Sequence, residues 1–593
     1  MIENKLSWLI GGEAGQGIEK AGHTFALILH RGGLYTFTNA EYPSLIRGGH
    51  NYNKVRMSEK PVSSHLNEVD LVCALNKETF DLHLDEIVKG GGIVFDPEDV
   101  PKADGRDGVN LFSVPLAELA KTKGGGIIAK NIVAIGACVS LLDYDLNFLK
   151  DSLKETFAKK GEEVVNNNIN AAQAGYDFVK EKYSGKFDYK LVPLKNTAKR
   201  ILINGNDALS IGAIKGGCKF VAEYPMTPSS SILHFMAAHS REYNVIVKHV
   251  EDELSAVNHI IGASEVGVRN MTATSGGGFS LMAEALGLAG MHETGIVVVN
   301  VQRPGPSTGL PTRTGQGDLQ FMLHASQDEF PRMVVAPGDL EECFKLTFDA
   351  FNIAEKYQMP VIILSDKYLA ESEASVDMFD TSGMKIDRGK LLREKDLIRN
   401  ARGEAVAGRF PRYQDAPDGI SARPLVGEKG GMFIHTSDEH NDFGFIVEDI
   451  ENRNKKMEKR MRKMKTLLRE LPVPELIGQS KADITFVSWG STKGAALEAM
   501  EMLSADGVSA NFLQIKYMCP FHAEEVGKIL SGAKKKILVE ENYSGQLGDL
   551  IREKTGIAMD QKILDYSGRS FTAKQIYNNV RGAAGNSARR ANQ

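Results

Sequence analysis

The pattern of apolar and polar positions changes character three times along the chain. Leu6-Ser7-Trp8-Leu9-Ile10 is a short apolar run that leads into Gly11-Gly12-Glu13-Ala14-Gly15-Gln16-Gly17, and helical spacing follows through Ala21, Phe25, Ile28 and Leu29. Strand, glycine turn and helix are predicted in that order. Val69 to Ala74 and Gly92 to Phe95 read as further strands, and Asn131 to Leu142 as a helix. This first α/β domain is assigned to residues 1–185, with the polar stretch Lys182 to Lys199 as its exit.

A more regular block occupies 200–375. Phe220-Val221-Ala222, Val245-Ile246-Val247, Met271 to Thr274, Gly295 to Val301, Met333 to Ala336 and Val361 to Leu364 alternate with helical patterns. Such alternation predicts a doubly wound, open parallel sheet. Residues 376–480 read as an irregular connecting segment ending in a basic helix, Asn454 to Glu470. Met457, Met461, Met464 and Leu468 form a narrow stripe on that helix, so its lysines are expected in solvent. A last α/β unit, 481–593, has strands at Ile484 to Ser488, Asn511 to Ile515 and Lys536 to Glu540. The fold class is α/β and multidomain.

Composition narrows the class. Apolar residues make up 42% and charged residues 25%, ordinary for a soluble enzyme, and the net charge of -5 offers no broad basic surface for nucleic acid. The five cysteines include no CxxC pair, which argues against a metal site or a cluster carried by this chain alone. No apolar run approaches ~18 residues and the N-terminus lacks a signal-peptide pattern, so no membrane association and a cytoplasmic location are expected.

The candidate chemistry lies at predicted strand ends. In Tyr224-Pro225-Met226-Thr227-Pro228-Ser229-Ser230 two prolines stiffen a loop and present the Thr227 hydroxyl, with Ser229 or Ser230 as the next helix's N-cap. Val250, Leu254, Val257 and Ile261 form an apolar stripe on the helix after His249-Val250-Glu251-Asp252-Glu253. Glu253 lies one residue off it, in line with Ala256 and Ile260, a place for a partly desolvated carboxyl. Ser275-Gly276-Gly277-Gly278 suggests close approach to the backbone. The loop from Gln302 to Asp318 is rich in Gly and Pro and carries Arg303 and Arg313. Arg47-Gly48-Gly49 is either a phosphate or carboxylate contact or a surface turn.

Together these stretches resemble the 2-oxoacid:ferredoxin oxidoreductases, in particular the alpha subunit with the gamma domain fused at its N-terminus. Tyr224-Pro225-Met226-Thr227-Pro228 is similar to the family's Tyr-Pro-Ile-Thr-Pro loop, with methionine for isoleucine. Gly12 to Gly17 with Arg47-Gly48-Gly49 looks like the gamma domain, and Gln302 to Thr308 belongs with a pyrimidine-side thiamine diphosphate domain. The last unit then corresponds to a transketolase-C-like domain.

The resemblance implies oxidative decarboxylation of a 2-oxoacid to an acyl-CoA, with electrons to ferredoxin. Glu253 matches the glutamate that hydrogen-bonds the aminopyrimidine, and Tyr224, Pro225, Gly276, Gly277 and Arg47 are the further cofactor-binding candidates. Thr227 would bond the substrate, and Arg313, deeper in the loop, is favoured over Arg303 as the carboxylate clamp. The chain has no Gly-Asp-Gly stretch with a downstream asparagine for Mg²⁺ and diphosphate. A beta subunit carrying Mg²⁺ and a [4Fe-4S] cluster is therefore implied, with coenzyme A as co-substrate and an obligate αβ assembly, dimerised as (αβ)₂, expected. The fused gamma–alpha arrangement favours 2-oxoglutarate, with pyruvate or a broad 2-oxoacid range as the alternative. A non-catalytic scaffold and a nucleotide-binding oxidoreductase using the first glycine turn are the competing classes.

Overall fold

The computed structural model describes residues 1–45, 48–195, 198–400 and 409–590. The chain divides into two compact units. The first comprises Met1–Asn204, Glu371–Met378 and Thr572–Lys574; the second comprises Gly205–Ala370, Phe379–Phe571 and Gln575–Gln593. Arg47 lies outside the described residues.

The first unit holds an eight-stranded mixed sheet. Its order is Asn110–Ser113, Ile87–Phe95, Val69–Ala74, Leu6–Glu13, His50–Ser58, Tyr35–Glu41, Glu373–Asp377 and Arg200–Asn204. Leu6–Glu13, apolar nearly throughout, is the parallel partner of Val69–Ala74 and the antiparallel partner of His50–Ser58. Helices Lys130–Leu141 and Glu162–Tyr183 meet through glycines: a Cβ on Gly136 would sit 2.1 Å from the Ala172 carbonyl oxygen, and one on Gly175 2.0 Å from that of Val133. The glycine turn before helix Ile18–Arg31 is filled by its own side chain. Gln16 Oε1 accepts from the Glu13 amide at 2.8 Å, and a Cβ on Gly12 would strike that oxygen at 2.2 Å.

The second unit holds two sheets. The larger runs Ile246–His249, Phe220–Glu223, Asn270–Thr274, Val297–Gln302, Val361–Asp366, Met333–Val335 and Tyr517–Cys519. Its first six strands are parallel, and Val297–Gln302 is buried along its whole length, as a strand covered on both faces must be. The seventh, Tyr517–Cys519, is antiparallel and comes from the last α/β stretch. The smaller sheet runs Leu476–Gly478, Ala510–Gln514, Ile484–Ser488, Lys536–Glu540 and Gln561–Leu564. Phe279, Met282, Val298 and Ile362 share one core cluster with Trp489, Leu513 and Leu538.

One helix departs from its expected inward stripe at a single position, and another reverses its expected face. On Glu253–Glu265 the buried line is Glu253, Ala256, Val257, Ile260 and Ile261, while Leu254 is 45% exposed. The basic helix, Ile450–Glu470, reverses the expectation that its lysines are solvated: Lys456, Lys459, Arg460, Lys463 and Leu467 are its buried residues. Carboxylates make this tolerable. Lys459 and Lys463 reach the two oxygens of buried Glu293 at 2.6 and 2.5 Å, and Arg460 grips Glu439 with both terminal nitrogens.

Candidate active site

The larger sheet reverses direction beside Phe220–Glu223: the chain moves to Ile246–His249 on one side, then returns past it to Asn270–Thr274 on the other. Ligands of open α/β sheets bind outside the carboxyl ends of strands at such a switch point. Every main candidate segment leaves the sheet at that end. Tyr224 follows one strand directly, Glu253 begins the helix after the second, Gly276 begins the helix after the third, and Arg303 follows Gln302 of the fourth.

Asp252 caps the helix of Glu253 by accepting from the Ser255 amide at 2.7 Å, fixing Glu253 as the first helical residue. The Glu253 carboxyl is 3% exposed, with Oε1 3.5 Å from the Thr274 hydroxyl. The glycines divide their work. A Cβ on Gly278 would lie 2.2 Å from Glu253 Oε1, and one on Gly276 would lie 2.4 Å from Asp318 Oδ2. Those two make room for the protein's own carboxyls. Gly277 is exposed, and a Cβ there would meet only the Ser307 carbonyl at 3.7 Å. It is the position on this turn that a ligand can approach.

Thr227 is half-buried and its hydroxyl makes no hydrogen bond among the described residues. Its carbonyl accepts from Arg303 Nη1 at 2.7 Å. Met226 lays its sulfur against the Ser275 and Thr274 hydroxyls, at 3.4 and 3.8 Å. Ser229 does not cap the following helix Ser230–Ala238; its hydroxyl turns back to the Met226 carbonyl at 2.7 Å. Tyr224 is 38% exposed beside the His249 ring, and Pro225 is half-buried. Arg313 lies further along the loop, where a Cβ on Gly568 would come within 3.0 Å of its Cβ. That half of the loop is fastened by Gln316, which donates from its amide to the Glu541 carbonyl and from Nε2 to that of Trp489, at 2.7 and 2.8 Å.

Two acidic residues were missed. Glu223, the last residue of its strand, is fully buried, and neither carboxyl oxygen has a hydrogen-bond partner among the described residues. Burial pushes its titration well up, against the opposing influence of Ser229. The sequence signal was an acidic residue alternating with Val221 at the strand's end, directly before the proline loop. Asp318 accepts from Asn300 Nδ2 at 3.0 Å, and burial raises its carboxyl too, opposed by Asn300 and Arg303. It closes the loop that Arg303 opens. Elsewhere, Glu265, His292 and His435 place one potential ligand atom each within 4.8 Å of one another, so a metal trio is geometrically available among the described residues.

Family models match three stretches: "Pyruvate flavodoxin/ferredoxin oxidoreductase, thiamine diP-bdg" over 211–459, "Pyruvate ferredoxin/flavodoxin oxidoreductase" over 7–178, and "Pyruvate:ferredoxin oxidoreductase core domain II" over 482–576. Among full-length relatives, the 2-oxoacid:ferredoxin oxidoreductase alpha subunit of a Sulfolobus species is 34% identical, covering 96% of each chain. The 2-oxoglutarate synthase subunit KorA of Methanothermobacter thermautotrophicus is 34% identical over 64% of this chain and 97% of its own. A solved structure of 2-oxoglutarate:ferredoxin oxidoreductase from Magnetococcus marinus, with 2-oxoglutarate, coenzyme A and succinyl-CoA bound, superposes with a TM-score of 0.89. It is 32% identical and covers 98% of this chain and 99% of that one. The fold is that of an oxidoreductase subunit with a thiamine-diphosphate-type domain. The chain belongs to the 2-oxoacid:ferredoxin oxidoreductase alpha subunits. No helix among the described residues is long and apolar enough to cross a membrane.

Proposed function

We propose that this chain, with a beta subunit, oxidatively decarboxylates 2-oxoglutarate in the presence of coenzyme A and passes the electrons to a ferredoxin. The observation that carries the reading is Glu253: a buried carboxyl at the switch point, packed on Gly278, the chain neighbour of the exposed Gly277. A buried acceptor beside an open approach fits the aminopyrimidine of thiamine diphosphate. That cofactor supplies, when bound, the carbon nucleophile and electron sink for decarboxylation.

Glu253 holds and exchanges the proton on the pyrimidine nitrogen, while Gly277 lets the ring approach and Tyr224 and Pro225 flank the entrance. The Thr227 hydroxyl donates to the keto or carboxylate oxygen of the substrate. Arg303 takes the clamp role in preference to Arg313, because its guanidinium already reaches the Thr227 carbonyl. Mg²⁺, the diphosphate contacts and the [4Fe-4S] cluster are assigned to the beta subunit, in an (αβ)₂ assembly. The names of the Methanothermobacter and Magnetococcus proteins support 2-oxoglutarate.

Co-purification with the beta subunit, followed by acyl-CoA formation from a panel of 2-oxoacids, tests the reading. The highest kcat/KM is expected for 2-oxoglutarate. An equal or higher value for pyruvate would overturn the substrate assignment, and no turnover with any 2-oxoacid would overturn the catalytic one.

A further inference from the structure

At the opposite, amino-terminal end of the larger sheet lies a cavity of about 40 Å³, enough for about three ordered waters. It is bounded by the start of strand Asn270–Thr274, the approach to Val297–Gln302 and the connecting segment carrying Arg412, Arg423 and His435. Its charged lining is Arg269, Arg412, Arg423, Glu265, Glu293 and Glu355.

Each carboxylate here is already engaged. Glu355 is shared by Arg269, Arg388 and Arg423, each at 2.6 Å. Glu293 is shared by Lys459 and Lys463. Glu265 takes the Thr294 hydroxyl at 2.7 Å and lies 3.2 Å from His292 Nδ1, with His435 Nε2 against its other oxygen. Arg412 lowers the Glu293 carboxyl through space but makes no direct ion pair among the described residues. It is 3% exposed, gives Nη2 to the Glu293 backbone carbonyl at 2.8 Å, and its Nη1 has no hydrogen-bond partner among the described residues. Guanidinium nitrogens only donate, so this buried group calls for an acceptor. The lining pairs three arginines with three glutamates, so what singles out Arg412 is its unmet donor and not a net charge. A dication on the Glu265, His292 and His435 trio would leave that donor unmet, whereas an oxyanion would supply its acceptor.

We infer that this cavity is an oxyanion-binding site, sized for one phosphate-like group and held principally by Arg412. The group is either a free inorganic oxyanion or the phosphate of a small phosphomonoester. The site lies at the other end of the sheet from Glu253, and the inference does not depend on the proposed reaction.

The test is thermal unfolding and isothermal titration of the purified full-length complex with inorganic phosphate and, separately, glycerol 3-phosphate. Potassium chloride at matched ionic strength is the control. A saturable rise in Tm beyond the chloride control is expected with phosphate; the same response to glycerol 3-phosphate assigns the phosphomonoester, and its lack assigns the free anion. Arg412→Gln is expected to weaken binding at least tenfold. Ser264→Asp, which places a carboxylate in the lining and does not depend on Arg412, should raise Tm without phosphate and abolish the response. Equal shifts with phosphate and chloride, or a phosphate response that survives in Ser264→Asp, would overturn the assignment.

Discussion

The two ends of the larger sheet in the second unit treat buried charge differently. Outside the carboxyl ends of its strands lie the buried carboxyls of Glu223 and Glu253, the burial-raised Asp318, and Arg303 turned toward the Thr227 carbonyl. At the amino ends, Arg269, Arg412 and Arg423 share a cavity with Glu265, Glu293 and Glu355, and Lys459 and Lys463 meet on Glu293. Against burial, those two lysines hold the Glu293 carboxyl well below the usual range, while burial brings Lys459 down to about 7 despite Glu293. The unpaired buried carboxyl of Glu223 escapes its desolvation cost by keeping a proton. Arginine has no such escape, so a buried guanidinium needs acceptors from the protein or from a ligand.

Removing one group from each end should therefore produce different failures. At the carboxyl end, Glu253→Gln is expected to lower kcat about 10²–10⁴-fold in the reconstituted complex with assembly intact, read by steady-state kinetics beside size-exclusion chromatography. At the amino end, Glu293→Gln strands two buried lysines and should destabilise the fold by about 3–5 kcal/mol, read by denaturant unfolding. Arg303→Ala should lower kcat/KM for the 2-oxoacid roughly tenfold or more, and Arg313→Ala substantially less. The reverse ranking would return the clamp to Arg313.

The smallest effect is expected at Glu223. A carboxyl whose folded pKa is raised contributes stability that is full below its unfolded value, about 4.5, and is lost as pH rises through the folded value. Glu223→Gln removes the ionisation, so its Tm relative to the natural chain should climb as pH increases from 5 to 8. A constant difference would show that Glu223 does not titrate in this way.

The carboxyl end was legible in the sequence because its chemistry is local. Prolines 225 and 228, the three glycines and Glu253 lie in short segments whose spacing identifies strand ends, and the switch point gathers them. Residue order alone could not separate Gly277 from its neighbours, because the side chains facing Gly276 and Gly278 come from Asp318 and Glu253. The amino end was illegible for a related reason. A methionine stripe marked the expected inward face of helix Ile450–Glu470, but the lysines face inward because Glu293, remote in sequence, and Asp442, on the segment before the helix, meet them. Periodicity registers apolar burial; it is blind to burial paired across the chain.

Thiamine diphosphate affinity in the complex carrying Gly277→Val tests the central claim most directly. Gly277 is exposed and a Cβ there meets nothing closer than 3.7 Å, so the fold should tolerate the side chain while the cofactor's approach is blocked. The expected result is a cofactor-free Tm close to that of the natural chain and an affinity at least tenfold weaker. An unchanged affinity would contradict the placement of the cofactor at this turn.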